Sequence, residues 1–177
     1  GDTWAYLDDG SDQGTAWSAT GFDDSNWATG KGQLGYGDGD EVTEISFGND
    51  SENKHVTAYF RTTFTVDTPE DIVKLRALML RDDGAIAYLN GQEVIRSNMP
   101  EDDVTSATLA KTSVGGSAET GYSEFYLDPA VLVSGENTLA VEVHQGSVSS
   151  SDLSFDMVLY GMVSQVDGNA PAAPSTF

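Results

Sequence analysis

The chain of 177 residues is long enough for one domain with a full-sized hydrophobic core, and it has no cysteine, so disulfides, thiol catalysis and cysteine-based zinc sites are excluded. With 29 acidic against 8 basic residues, its formal net charge is −21. Such a field repels nucleic acid and anionic membrane surfaces, because both are recognised through Lys and Arg.

The charge is compatible with cation binding or with the solubility of an extracellular, salt-adapted protein. No apolar run reaches membrane-spanning length. The chain opens at Gly1-Asp2-Thr3-Trp4 without a basic-then-apolar leader, which points to a piece of a longer, secreted bacterial precursor.

Two-residue alternation recurs along the chain, and helical periodicity is nearly absent. In residues 59–66, Phe60, Thr62, Phe64 and Val66 share a mostly apolar face, opposite Tyr59, Arg61, Thr63 and Thr65. Residues 75–80 are apolar on both faces, which predicts a central strand covered on both sides. Asn90-Gly91, between residues 85–89 and 92–96, is a strong hairpin signal because both residues tolerate positive φ. A short helical turn at 128–132 leads into a strand where Leu139, Val141 and Val143 alternate with Ala140, Glu142 and His144. In the next strand Leu153, Phe155, Met157 and Leu159 alternate with Ser154, Asp156, Val158 and Tyr160. One-sided burial of this kind predicts an all-β fold, an antiparallel β-sandwich. Residues 1–165 form the module, and 166–177, with Pro171 and Pro174 among small residues, read as a linker.

Three patterns in fixed order carry a resemblance: Tyr59-Phe60-Arg61-Thr62-Thr63-Phe64-Thr65-Val66, then Arg81-Asp82-Asp83-Gly84-Ala85-Ile86-Ala87-Tyr88-Leu89-Asn90-Gly91, then Ser134-Gly135-Glu136-Asn137-Thr138-Leu139-Ala140-Val141. With Phe22-Asp23-Asp24-Ser25-Asn26-Trp27 and Leu127-Asp128-Pro129-Ala130-Val131-Leu132, they resemble the galactose-binding-like jelly roll. That fold occurs in the sugar-binding domain of β-galactosidase and β-glucuronidase hydrolases and in carbohydrate-binding modules. The resemblance implies a jelly-roll sandwich whose job is noncatalytic: binding a polysaccharide or glycan beside neighbouring domains of the same polypeptide. A structural or adhesion domain that binds no sugar is the alternative, since the fold alone does not fix function.

Loop parity gathers the candidate binding residues. If the strand over 75–80 runs up to Arg81, then Asn90-Gly91 lies at the bottom, and the loops at 97–105, 37–56 and 144–152 return to the top. This predicts an exposed rim of Tyr36, Asp38, His55, Arg81, Asp82, Asp83, His144, Gln145 and Asp152, in which Arg and Asp would bond vicinal sugar hydroxyls and His and Gln would add single donors and acceptors. Tyr36, between two glycines, reads as a ring on a loop. Asp82-Asp83-Gly84 also reads as turn chemistry, and His144 as an outward strand-end residue. Trp4, Trp17 and Trp27 are expected in the core.

Asp9-Gly10-Ser11-Asp12 and the following Thr15-Ala16-Trp17 are similar to the calcium loop of the discoidin branch of this superfamily, though the spacing differs. A structural Ca2+ ion is therefore expected on Asp9 and Asp12 with Asp156 from a late strand. Among enzyme readings, Ser150, His144 and Asp152 could be drawn as a triad. No Gly-x-Ser-x-Gly turn supports it, and no carboxylate pair stands in an apolar setting suited to glycoside hydrolysis.

Overall fold

The computed structural model describes residues 1–163 and 175–177. Alternating strands build two stacked sheets, a β-sandwich. The first holds β1 (Thr3–Leu7), β2 (Ala28–Lys31), β5 (Thr57–Val66), β7 (Gly84–Leu89), β8 (Gln92–Ser97) and β10 (Gly135–His144), in the order β2-β1-β5-β10-β7-β8. The second holds β3 (Leu34–Tyr36), β4 (Thr43–Glu44), β6 (Ile72–Asp82), β9 (Ser123–Leu127) and β11 (Leu153–Val163), in the order β4-β3-β11-β6-β9. All pairings are antiparallel except the short β3–β4 pair, which is parallel. Among the described residues the helical pieces are single 3-10 turns, and no helix is long and apolar enough to cross a membrane.

The dry layer between the sheets forms from the inward residues of each alternation. Phe60 and Phe155 stack at 4.4 Å, and Trp4 meets Phe155 edge-on at 5.0 Å. Leu139, Val141 and Val143 of β10 oppose Met157 and Leu159 of β11 in the same cluster. Asn90 and Gly91 join β7 to β8 at φ values of 55° and 80°, the conformation expected of the hairpin. The Asn90 side chain also accepts from Thr138 N and donates to Val131 O and Asn137 Oδ1, which ties the hairpin to the turn before β10.

Two expectations are corrected. The doubly covered strand is β10, in which every residue from Asn137 to His144 is buried, whereas β6 leaves Arg76 and Leu78 half-exposed. The cover over β10 comes from Trp17, on the 3-10 turn Ala16–Ser18, and from the segment 98–112. Trp17 packs with Tyr59 and Ala140, and Trp27 is half-buried beside this group rather than in the central core. The Thr108 carbonyl lies 2.8 Å from His144 Nδ1, and Ala110 N donates to Gln145 O. Finally, of the expected linker, residues 166–174 lie outside the described residues. Ser175 and Thr176 form a twelfth strand, β12 (Ser175–Thr176), on β11, and the Phe177 ring sits 5.2 Å from that of Phe64.

Candidate functional site

The loops expected to share one end do meet there. Asp82 closes β6 and is followed by Asp83, and the pairing of His144 with both Gly84 and Thr57 brings the start of β7, the start of β5 and the end of β10 to the same edge. Beyond that edge the contacts run Asp83 to Val114 and Gly146, and Gln145 to Tyr36 and Asp152.

These residues form a buried polar centre, not a rim. Tyr36 lies on β3 within the core, and its hydroxyl accepts from Gln145 Nε2. Gln145 Nε2 also donates to the Asp152 carbonyl at 3.0 Å. His144 is fully buried. Because the Thr108 carbonyl can only accept, Nδ1 carries a proton, and Thr57 Oγ1 lies 2.9 Å from the same nitrogen. The outward strand-end reading fails for His144 because segment 98–112 folds across it. Asp83 does not cap its own turn: its two carboxylate oxygens accept from Val114 N and Gly146 N, each at 2.5 Å, so one side chain pins two distant loops. Arg81, half-buried, donates to Ser97 Oγ at 3.0 Å, and burial lowers its guanidinium pKa. Asp38 is exposed and accepts from Ser154 Oγ at 3.1 Å. His55 sits to one side, with Nδ1 2.8 Å from Asp8 O and its ring against Gly10 and Gly48.

Asp82 is different in kind. It is 0% exposed, and neither of its carboxylate oxygens has a hydrogen-bond partner among the described residues. Burial first, then the negative charges of Asp83, Asp152 and Glu119, raise its pKa well above the ordinary carboxylate range. Oxygens of Asp82, Glu119 and Asp152 lie within 4.8 Å of one another. Among the described residues no ion pair joins any of these acids to a Lys, Arg or His.

The expected calcium set is not assembled. Oxygens of Asp9, Asp12 and Asp156 do not all lie within 4.8 Å of one another. Asp9 Oδ1 accepts from Ser11 N and Asp12 Oδ1 from Gly14 N, both at 2.9 Å, so each closes a local turn. Asp156 accepts from Tyr122 OH at 2.7 Å on the outer face of the second sheet.

That outer face holds the residues that the sequence reading missed. On neighbouring strands Arg76 of β6 is in register with Tyr126 of β9 and with Tyr160 of β11, so a ring, a guanidinium and a second ring lie in one row. Glu124 stands one rung away and accepts from Tyr126 OH at 2.7 Å, while its carboxylate lies 2.5 Å from Arg76 Nε. Lys74 Nζ sits 5.0 Å from the Tyr126 ring centroid, and Arg76 lies 5.8 Å from that of Tyr160. Tyr126 is 61% exposed and Tyr122, at the edge of the row, 47%, while Tyr160 is half-buried. Alternation in Ser123–Leu127 could have found this face, since Phe125 and Leu127 point to the core and leave Glu124 and Tyr126 outside.

No protein-family model and no curated protein matches the chain. Solved structures that resemble it include glycosidases. A Bacteroides uniformis β-glucuronidase matches at 21% identity over 81% of this chain and 14% of that one, with a TM-score of 0.47. A calcium-binding mutant of Bacteroides uniformis β-glucuronidase 2 matches at 18% identity over 87% and 17%, with a TM-score of 0.48. A Streptomyces avermitilis α-L-rhamnosidase complexed with L-rhamnose matches at 20% identity over 75% and 11%, with a TM-score of 0.44. The chain thus spans less than a fifth of the length of each.

Proposed function

We propose that this chain is a noncatalytic carbohydrate-binding module of a larger polypeptide, and that it takes glycan on the outer face of the second sheet. The observation that carries the reading is the row Tyr126–Arg76–Tyr160 with Tyr122 and Glu124 beside it. The exposed Tyr126 and Tyr122 rings, with the half-buried Tyr160 beyond Arg76, present apolar area to the C–H faces of a pyranose, and Arg and Glu offer paired donors and acceptors to adjacent hydroxyls. A shallow, open platform of this kind suits an extended polysaccharide and weak, reversible binding that raises the local concentration of a companion domain. The buried groups at the loop end are poorly disposed for a sugar, because segment 98–112 and Tyr36 already fill the space around them.

A structural calcium belongs to the same reading, supported by two acid groups within ion-sharing distance, one at Asp38, Asp40 and Glu41 and one at Asp82, Glu119 and Asp152. The second reading, a spacer or adhesion domain, draws on the same exposed tyrosines as a docking surface for a neighbouring domain. Affinity electrophoresis through gels containing individual polysaccharides separates the two. Retardation by at least one polysaccharide that is lost in Tyr126→Ala and Tyr160→Ala supports glycan binding. Unretarded migration in every gel, together with an empty glycan array, leaves the spacer reading.

A further inference from the structure

Building on the calcium of that reading, we propose that the ion is held by Asp82, Asp152 and Glu119 at the loop end of the sandwich. Calcium binds oxygens at about 2.3–2.6 Å, so two ligands on opposite sides of one ion stand about 4.6–5.2 Å apart. One oxygen from each of the three acids falls within 4.8 Å of the others, so all three fit a single coordination sphere.

Asp82 is wholly buried with both carboxylate oxygens unpartnered among the described residues. An isolated buried carboxylate is costly to ionise unless a cation or donors compensate it. Its neighbour Asp83 has such donors in Val114 N and Gly146 N, whereas Asp82 has none. The nearest residue able to supply a positive charge along the chain, Arg81, donates to Ser97 instead. A bound cation supplies what the protein does not. Gln145 Oε1 is a further buried oxygen without a partner, and it belongs to the same centre because Gln145 Nε2 donates to the Asp152 carbonyl.

The donor chemistry selects the ion. The three acids offer oxygen only, which favours a hard cation over zinc or copper. They arrive from three separate segments: the end of β6, the loop before β9 and the loop before β11. Calcium accepts such an irregular set, whereas magnesium demands near-ideal octahedral geometry and keeps most of its water. Bound there, the ion cross-links the same three segments that Asp83 already ties together.

The other acid group differs. Asp38 and Asp40 are exposed, and both Glu41 oxygens already accept from Asp38 N and Gly39 N at 2.9 Å, which makes that group a turn staple.

Isothermal titration of the chelator-stripped chain with CaCl2, and in parallel with MgCl2, tests the assignment. One calcium should bind per chain, with magnesium weaker. At calcium a hundred times its dissociation constant the melting temperature should rise by roughly 5–10 °C. Asp152→Asn and Glu119→Gln, both at partly exposed side chains, should each weaken calcium roughly tenfold or more while leaving the calcium-free melting temperature within a few degrees. Asp38→Asn should change neither value. Calcium binding that survives Asp152→Asn and Glu119→Gln but fails in Asp38→Asn, or in Asp9→Asn, overturns this placement while leaving a calcium-stabilised module intact. No heat and no thermal shift up to millimolar calcium overturns both.

Discussion

Asp82 and Asp83 are adjacent in sequence and both buried, yet Asp83 accepts two backbone N–H groups and Asp82 accepts none. That division organises the loop end. Asp83 pins the 113–114 loop and the Gly146 turn to the end of β6, and Asp82 is left buried without a donor.

The clamp role of Asp83 has a stability consequence. Asp83→Ala removes the acceptor of the partly buried Val114 N and Gly146 N at once and should cost roughly 2–4 kcal/mol. Asp83→Asn keeps one acceptor oxygen and should cost less than the alanine change. Urea unfolding of the two variants, compared at equal m-values, checks the order.

Asn137 anchors the opposite end. It is wholly buried, donates to Val133 O and Gly135 O, and accepts from Val133 N and Asn90 Nδ2. Asn137→Ala should destabilise the fold by about 3–4 kcal/mol, because it orphans partners on two turns at once. Asn137→Asp should also be costly, since it replaces two donors with acceptors that face carbonyls. Thermal unfolding followed by near-ultraviolet circular dichroism reads both.

The tyrosines over β10 predict alkaline sensitivity. Burial first, then the charge of Glu142, pushes the Tyr59 hydroxyl from 10.0 up to about 12, and the same causes raise Tyr88, whose hydroxyl donates to Glu142 at 2.7 Å. Between pH 10 and the folded values the native state holds protons that the unfolded chain has released. Stability should therefore fall as pH rises through that window and be unaffected by these two groups below it. Tyrosinate absorbance near 295 nm should show a late fraction that appears together with unfolding. Complete ionisation near pH 10 with the fold intact contradicts the burial of these rings.

Much of the fold was legible because its signals are local. Asn90-Gly91 specifies its hairpin within two residues, and alternation in β10 and β11 separates Leu139 and Phe155 from their outward neighbours. Burial of those neighbours was not legible, because it depends on segment 98–112, which has no periodicity and yet crosses His144. Tyr36 misled for a related reason: its flanking glycines suggest a loop, but the ring sits on a three-residue strand paired with Leu153. Glu119 joins Asp82 only through the path of a long loop, and nothing in the residues around it marks that meeting.

The outer-face tyrosines should separate binding from stability. Tyr126 is mostly exposed, so Tyr126→Ala should change unfolding free energy by no more than about 0.5 kcal/mol. Loss of several kcal/mol would instead make this ring part of the framework. Equilibrium denaturation of the variant alone decides it.

The most direct test of the account is a nitrogen-15 chemical-shift titration of the calcium-loaded chain with an oligosaccharide drawn from the polysaccharide that retards it. Shifts concentrated on the amides of Tyr122, Glu124, Tyr126, Arg76 and Tyr160, with Asp83 and His144 unmoved, are the predicted result. Shifts confined to the loop end with the tyrosine row silent contradict it.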